Sequence, residues 1–180
     1  FRVGSVSTLA NATLRAETLQ GAEAGVSYEA LDRRLRLRAT AFASRIDDPI
    51  VNATLTVAPD LTTRQRKNLG ANTSRGLEAE AQVDLSSTVS LTASYLFTRA
   101  RVAEAPNNRA LEGLDLPQTP RHQATLQLRW AAKDGTRLAL QARAGGTQFD
   151  DDQNLLPLGR YAIVDLLATQ VDPAGFVPGP

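Results

Sequence analysis

The clearest pattern in the chain is an alternation of apolar and polar residues between residues 123 and 144. Its apolar positions are Ala124, Leu126, Leu128, Trp130, Leu138, Leu140, Ala142 and Ala144, and the intervening positions are mostly Gln, Thr and Arg. Asp134 and Gly135 separate the two halves, and Asp-Gly favours a tight hairpin turn. The pattern therefore predicts two antiparallel strands with one apolar and one polar face. Such a hairpin suits a soluble sandwich, which buries that face in a core, or a membrane barrel, which turns it to lipid.

The same period-two alternation predicts further strands elsewhere in the chain. They cover about residues 19–30, 34–44, 77–85, 89–98 and 160–170. Residues 1–18 show no sustained period, and we interpret them as the end of a strand followed by a loop. Phe42 interrupts the polar side of its strand. The sequence therefore predicts an all-β protein with an antiparallel up-and-down meander of about seven to eight strands.

The connections between these strands alternate in length. Short turns lie near residues 31, 87 and 133, and long loops cover about 47–74, 102–120 and 150–159, the first possibly with strand extensions at both ends. All short turns therefore lie at one end of the sheet, as in membrane barrels with short periplasmic turns and long extracellular loops. Each alternation persists for about 9 to 11 residues, the length a tilted strand needs to cross a bilayer. Soluble sandwiches use shorter strands and Greek-key connections. The connectivity favours the membrane barrel.

Charge placement supports the same interpretation. The charged residues within the strands fall on the polar face, and they include Arg36, Arg38, Glu78, Glu80, Arg129, Arg137 and Arg143. A water-filled lumen accepts such residues. A Lys or Arg facing lipid near the midplane would cost about 2 to 4 kcal/mol, and the central apolar positions contain neither residue.

Composition excludes several other classes. The net charge is only +1 with both signs interspersed, so no nucleic-acid partner is predicted. Cysteine is absent, which excludes disulfides and thiolate metal sites. Methionine is also absent, even at position 1, which indicates a fragment or a processed product. No apolar run is long enough for a transmembrane helix.

No residue pattern predicts catalysis, a cofactor or a metal site, so we do not expect an enzyme. His122, the only histidine, lies at the start of a strand. Asp150, Asp151, Asp152 and Asn154 resemble the start of a calcium loop, but the sixth position is Leu155 and the twelfth is not Glu, so we interpret them as a solvated acidic loop.

Two basic clusters have alternative interpretations. Arg33, Arg34, Arg36 and Arg38 resemble a nucleic-acid patch, but alternation places the last two on the polar face and the first two in a turn. Arg64, Arg66 and Lys67 lie in the longest loop. They either attract an anionic ligand such as a metal chelate or belong to a solvated strand extension. The ligand-binding residues stay unknown at this point.

Several weak motifs recur across nearly the whole chain. The stretches are residues 14–26, 41–50, 64–82, 90–102 and 116–130. The motifs are an acidic residue before Glu-x-Gly, an Asn-x-Gly leading into Gly-x-Glu, and a Thr-Pro-x-His that begins a strand. Their residues are Glu17, Glu23, Gly25, Asn68, Gly70, Gly76, Glu78, Thr119, Pro120 and His122. In order and spacing the chain resembles the C-terminal part of the barrel of TonB-dependent outer-membrane receptors.

The resemblance implies a fold, a location and partners. Residues 1–180 would form one partial barrel domain in the outer membrane of a Gram-negative bacterium, with the plug domain and the terminal strands absent. The whole receptor would import a scarce small-molecule ligand, such as a siderophore-like metal chelate, without a bound cofactor. Its partners would be outer-membrane lipid, its own plug and a TonB-type energy-coupling protein that acts through the plug. The alternatives are a passive outer-membrane pore or another outer-membrane β-barrel, and a soluble β-sandwich binding module.

Overall fold

The computed structural model describes residues 2–68 and 70–170, most of which lie in β-strands. The strands are Arg2–Val3 (β1), Val6–Leu9 (β2), Thr18–Ala30 (β3), Leu35–Asp47 (β4), Ile50–Ala58 (β5), Leu61–Asn68 (β6), Ala71–Asp84 (β7), Val89–Glu104 (β8), His122–Ala131 (β9), Thr136–Gly145 (β10), Gln148–Phe149 (β11), Pro157–Leu158 (β12) and Tyr161–Gln170 (β13). A 3-10 helix covers Arg109–Leu111. Within the described ranges, no helix has the length and apolar character needed to cross a membrane.

Seven of these strands form one antiparallel sheet in the order β13-β10-β9-β8-β7-β4-β3. Successive strands of the sheet are neighbours in space, and the hairpin β5-β6 projects from the connection between β4 and β7. This sheet is the predicted meander, and its seven strands correspond to the seven sequence segments in which apolar and polar residues alternate. Within the described part of the chain, β3 and β13 are each paired on one side only, so the sheet is not closed.

The strands differ in length more than the sequence predicted. β9, β10 and β13 have 10 residues each, but β3 and β4 have 13, β7 has 14 and β8 has 16. The strands β3, β4, β7 and β8 therefore exceed the expected length of about 9 to 11 residues. β8 continues because the following loop pairs with it, with Val102 N donating to Leu114 O at 3.0 Å and Leu116 N to Ala100 O at 3.1 Å.

A second, smaller sheet has the order β1-β2-β6-β5. The segment predicted as a long loop with possible strand extensions is instead a continuous hairpin, β5-β6, with a two-residue tip at Pro59 and Asp60. The segment predicted as the end of a strand is β2, which pairs in parallel with β6 and not with the main sheet. Alternation alone missed this pairing because parallel partners are distant along the chain.

The apolar face of the main sheet is uncovered. Each strand has exposed apolar side chains on this face, from 37% at Leu128 to 66% at Val26 and 73% at Leu166. A soluble sandwich would bury these side chains against a second sheet, and no described element packs over them. The buried apolar residues instead form a small cluster of Val102, Ala105 and Leu111 beneath the long loops. The described residues contain no second sheet of a sandwich, and apolar side chains from all seven strands, from Val26 of β3 to Val164 of β13, line one concavity of about 870 Å³.

The polar face contains the charges that the sequence placed there. Arg38 is opposite Glu80 in the ladder between β4 and β7, and Arg36 Nη2 lies 3.6 Å from Asp84 Oδ2. Arg143 Nη2 lies 3.6 Å from Asp165 Oδ2. Adjacent strands therefore pair several of their charges across the ladder. The predicted separation of charged and apolar faces is confirmed for the central part of the sheet, and toward the long loops Arg75 and Arg99 lie on the apolar face.

Two glycines on the polar face are each covered by an aromatic ring from the next strand. Phe42 pairs with Gly76 across β4 and β7, and Tyr161 pairs with Gly145 across β13 and β10. A Cβ on Gly145 would lie 2.5 Å from Cε1 of Tyr161, so the ring fills the space that a side chain would take. This packing explains why Phe42 interrupts the polar pattern: its ring lies against a backbone without a side chain.

The three short turns are stabilised by local hydrogen bonds. Ser86 Oγ accepts from the N–H groups of Thr88 at 3.2 Å and Val89 at 3.0 Å. In the predicted Asp-Gly turn, Gly135 has φ +88°, which suits glycine. The Asp134 carboxylate accepts from Thr136 N at 3.0 Å, and hydrogen bonds from Thr136 lower the pKa of Asp134. All three turns lie at the end of the sheet opposite the long loops, as predicted.

Candidate ligand-facing site

The long connections converge at one end of the sheet and enclose a cavity of about 220 Å³. The apolar side of the cavity is formed by Val102, Leu111 and Leu116, which β8 and the loop after it bring together. Its polar side is formed by Arg64 from β6 and by the acidic loop that follows β11. A cavity with both kinds of lining suits a small molecule that has apolar and charged parts.

The acidic loop is folded around one buried carboxylate. Asp151 is 7% exposed, and its side chain accepts from Leu156 N at 2.8 Å, Leu155 N at 3.0 Å and Gln153 N at 3.2 Å. Asn154 exchanges two hydrogen bonds of 2.9 Å with the backbone of Asp115. The interpretation as a solvated acidic loop is therefore wrong for Asp151, because its carboxylate is needed to satisfy the N–H groups of a tight turn.

Arg64 is the basic side chain of the cavity. Its side chain is 19% exposed, and Nη2 lies 3.8 Å from Asp150 Oδ2. Arg64 Nε, Thr54 Oγ1 and Asp152 Oδ1 are buried and have no hydrogen-bond partner among the described residues. Buried polar atoms are nearly always hydrogen-bonded to protein, water or ligand. Of these three residues, Arg64 and Asp152 line the cavity, so its polar side has one basic and one acidic group.

The predicted basic cluster does not form a single patch. Arg64 is partly buried, but Arg66 and Lys67 are exposed. Alternation along β6 puts Lys67 on the other face of the strand, where it lines a shallow recess with Asn11 and Arg15. Arg66 and Lys67 therefore belong to a solvated strand extension, whereas Arg64 lines the cavity, and attraction of an anionic ligand by Arg64 stays a prediction.

The other candidate residues, among them His122 and Arg34, lie outside the cavity. His122 begins β9, as predicted, and its Nδ1 lies 2.7 Å from Tyr95 Oη. Arg34 donates to the carbonyl oxygens of Asp84 at 3.0 Å and Leu85 at 2.8 Å, so it connects two short turns. In the described ranges, no group of three or more His, Asp or Glu side chains is arranged to hold a metal ion.

Comparison with known proteins decides the family. The sequence model for "TonB dependent receptor-like, beta-barrel" matches residues 1–173. The chain belongs to this family. The resemblance seen in the sequence is thereby confirmed, and the family places the chain in the outer membrane of a Gram-negative bacterium.

Two curated members of this receptor family align with part of the chain. The ferrichrome outer membrane transporter/phage receptor of Escherichia coli is 32% identical over 97 residues, which are 52% of this chain and 13% of that protein. An uncharacterized TonB-dependent receptor of Haemophilus influenzae is 31% identical over 118 residues, which are 66% of this chain and 32% of that protein. The aligned part of the chain therefore covers less than a third of either relative.

Solved structures share the fold. The ferric yersiniabactin uptake receptor of Yersinia pestis is 22% identical with a TM-score of 0.64, and the match covers 83% of this chain and 22% of that chain. A siderophore receptor of Acinetobacter baumannii is 18% identical with a TM-score of 0.65, covering 84% and 22%. The seven-stranded sheet is thus similar to a segment of a receptor barrel.

Proposed function

We propose that this chain is part of the barrel wall and loops of a TonB-dependent receptor that imports a siderophore-like metal chelate. The observation that carries the proposal is the cavity at the long-loop end, where the partly buried Arg64 side chain lies beside apolar Val102, Leu111 and Leu116. Guanidinium groups bind oxyanions and carboxylates strongly. The relatives named for ferrichrome and yersiniabactin support the chelate class.

The proposal extends to the rest of the receptor. Since β3 and β13 have unpaired edges within the described residues, further strands are needed to close the wall. We assign residues 1–180 to one partial barrel domain whose plug and terminal strands lie outside this chain. Energy would come from a TonB-type protein acting through the plug, and lipid would cover the apolar face. Transport rather than enzymatic conversion is the proposed activity.

Arg64 provides the test of the cavity. In a strain that lacks the native gene, the full-length receptor should restore uptake of radioactive iron supplied as hydroxamate, catecholate or carboxylate chelates. We expect Arg64→Gln to reduce uptake of the accepted chelate about tenfold, because it removes a charge-assisted donor. Arg66→Gln is the matched control, since Arg66 is on the same strand but exposed. Normal uptake by Arg64→Gln would remove the cavity from the ligand path, and uptake of none of the chelates would contradict the substrate class.

The topology gives a separate test. We expect single cysteines at Asp60 and Asn107 to react with an impermeant thiol reagent on intact cells, because both residues are exposed in long connections. A cysteine at Lys133, in a short turn, should react only after the outer membrane is permeabilised. Labelling of the Lys133 position alone on intact cells would invert the assigned orientation.

A further inference from the structure

The apolar face of the sheet has aromatic residues near both ends. Tyr28 and Trp130 lie toward the short turns, and Tyr95, Phe97 and His122 lie toward the long loops. The ring centroid of His122 is 5.3 Å from that of Phe97, and its Nδ1 lies 2.7 Å from Tyr95 Oη. Girdles of aromatic residues mark the two membrane–water interfaces of barrels. Phe97 and His122 therefore mark the level of the outer-leaflet headgroups.

Two arginines lie on this same face just beyond the aromatic girdle. In the ladder between β7 and β8, Leu77 is opposite Phe97, and the next pair on the same face is Arg75 opposite Arg99. Directly opposite residues in an antiparallel pair have Cβ atoms about 4.5 to 5.5 Å apart, and like charges at this spacing destabilise the sheet. An anion bound between the two guanidinium groups would remove this repulsion.

The neighbouring acidic residues are already paired with other arginines. Asp47 and Glu104 bind Arg45, with contacts of 2.8 and 2.6 Å. Asp115 binds Arg101 at 3.2 Å and Arg121 at 2.6 Å; among the described residues, no carboxylate lies within salt-bridge distance of Arg75 or Arg99. The three acids offset the three arginines that contact them. The positive charges of Arg75 and Arg99, at the long-loop end of the apolar face, are therefore not neutralised by any described carboxylate.

We propose that Arg75 and Arg99 bind the phosphate of an anionic lipid headgroup in the outer leaflet. Guanidinium groups bind phosphate oxygens in a bidentate manner, and two of them on adjacent strands match a group with a charge of one to two. Long basic side chains at this depth extend toward the headgroup layer while their stems cover apolar surface. The inference rests on the outer-membrane location of the family and does not depend on the imported ligand.

A lipid fits this position better than a soluble anion. Below the arginine pair, the same face continues without charge through Leu77, Phe97 and Ala79. Acyl chains attached to the bound phosphate would therefore lie along an apolar surface, whereas a free anion would gain only the charged contact. The site thus combines charge complementarity at the headgroup with apolar contact below it.

The test measures lipid binding by the purified, delipidated full-length receptor in native mass spectrometry. The probes are phosphatidic acid and phosphatidylcholine with identical acyl chains. We expect phosphatidic acid to bind more tightly to the unmodified receptor, and Arg75→Gln/Arg99→Gln to weaken that binding about tenfold without changing phosphatidylcholine binding. Arg137→Gln/Arg143→Gln removes the same charge from the polar face and should leave both lipids unaffected.

Several results would overturn the proposal. Equal weakening by the two double variants would indicate a net-charge effect and not a site. Displacement of phosphatidic acid by millimolar inorganic phosphate would indicate a free-anion site. If the Gln variant does not fold, as judged by heat modifiability on gels, Arg75→Lys/Arg99→Lys keeps the charge and loses bidentate geometry. Unchanged phosphatidic acid binding in that folded variant would contradict bidentate recognition of the phosphate, which lysine does not provide.

Discussion

Leu126→Arg and Leu140→Arg should each prevent assembly of the full-length receptor in the outer membrane. Both side chains lie on the apolar face, between the aromatic girdles, and they are 44% and 42% exposed because no part of the described chain covers them. An arginine there would face hydrocarbon at a cost of about 2 to 4 kcal/mol. The measurement is the amount of heat-modifiable receptor recovered in outer-membrane fractions.

The matched controls are the adjacent residues Gln127 and Gln141, which are opposite each other on the polar face. We expect Gln127→Arg and Gln141→Arg to assemble at normal levels, because the new charge would face a water-filled lumen. If all four variants assembled equally well, the apolar face would not be in contact with lipid, and the assignment of the two faces would have to be abandoned.

Gly76→Ala should destabilise the barrel strongly, although the substitution adds only one methyl group. The new Cβ would lie against the Phe97 carbonyl oxygen and 2.6 Å from Cζ of Phe42. The carbonyl belongs to the backbone of β8, so relief of the clash requires the β7-β8 pairing to shift. Overpacking of this kind costs up to about 3 kcal/mol. Urea unfolding of the purified receptor, followed by the loss of the heat-modifiable band, gives the measurement.

Gly21→Ala is the control for this effect. The new Cβ would be 3.3 Å from Ser44 Cβ and 3.4 Å from the Ala43 carbonyl oxygen, contacts that small movements relieve. Its unfolding midpoint should stay close to that of the unmodified receptor, since the loss of glycine flexibility in the unfolded chain offsets the small strain. An equal loss of stability in both variants would show that strand glycines matter here only through backbone flexibility.

The main sheet was predictable because each of its strands has one polar and one apolar environment. At positions such as Leu126 and Gln127, an apolar side chain indicates the apolar face and a polar side chain indicates the polar face. The small sheet gave a weaker pattern, because β5 and β6 extend from the membrane-spanning wall and do not have one face in lipid. The parallel pairing of Val6 with Thr62 also joins segments that are far apart in the chain, and local periodicity does not report such partners.

The cavity was predictable only in part. The sequence indicates the basic residues near Arg64 as a candidate for anion binding, but alternation separates Arg64 from Lys67 only because this segment is a strand, β6, and not a loop. The role of Asp151 depends on the N–H groups of the turn that folds around it, which no spacing rule revealed. Arg75 and Arg99 became conspicuous only through the register that places them opposite each other.

The neighbour-to-neighbour order of the main sheet has a consequence for how such a wall is built. Because β8, β9, β10 and β13 each pair with the preceding strand of the main sheet, every added hairpin needs only the edge of the hairpin before it. The wall can therefore be laid down progressively in chain order, without waiting for distant segments. For the same reason, gain or loss of one whole hairpin preserves the direction and register of all the other pairs, so barrels of different circumference are accessible from one ancestral gene by duplication or deletion.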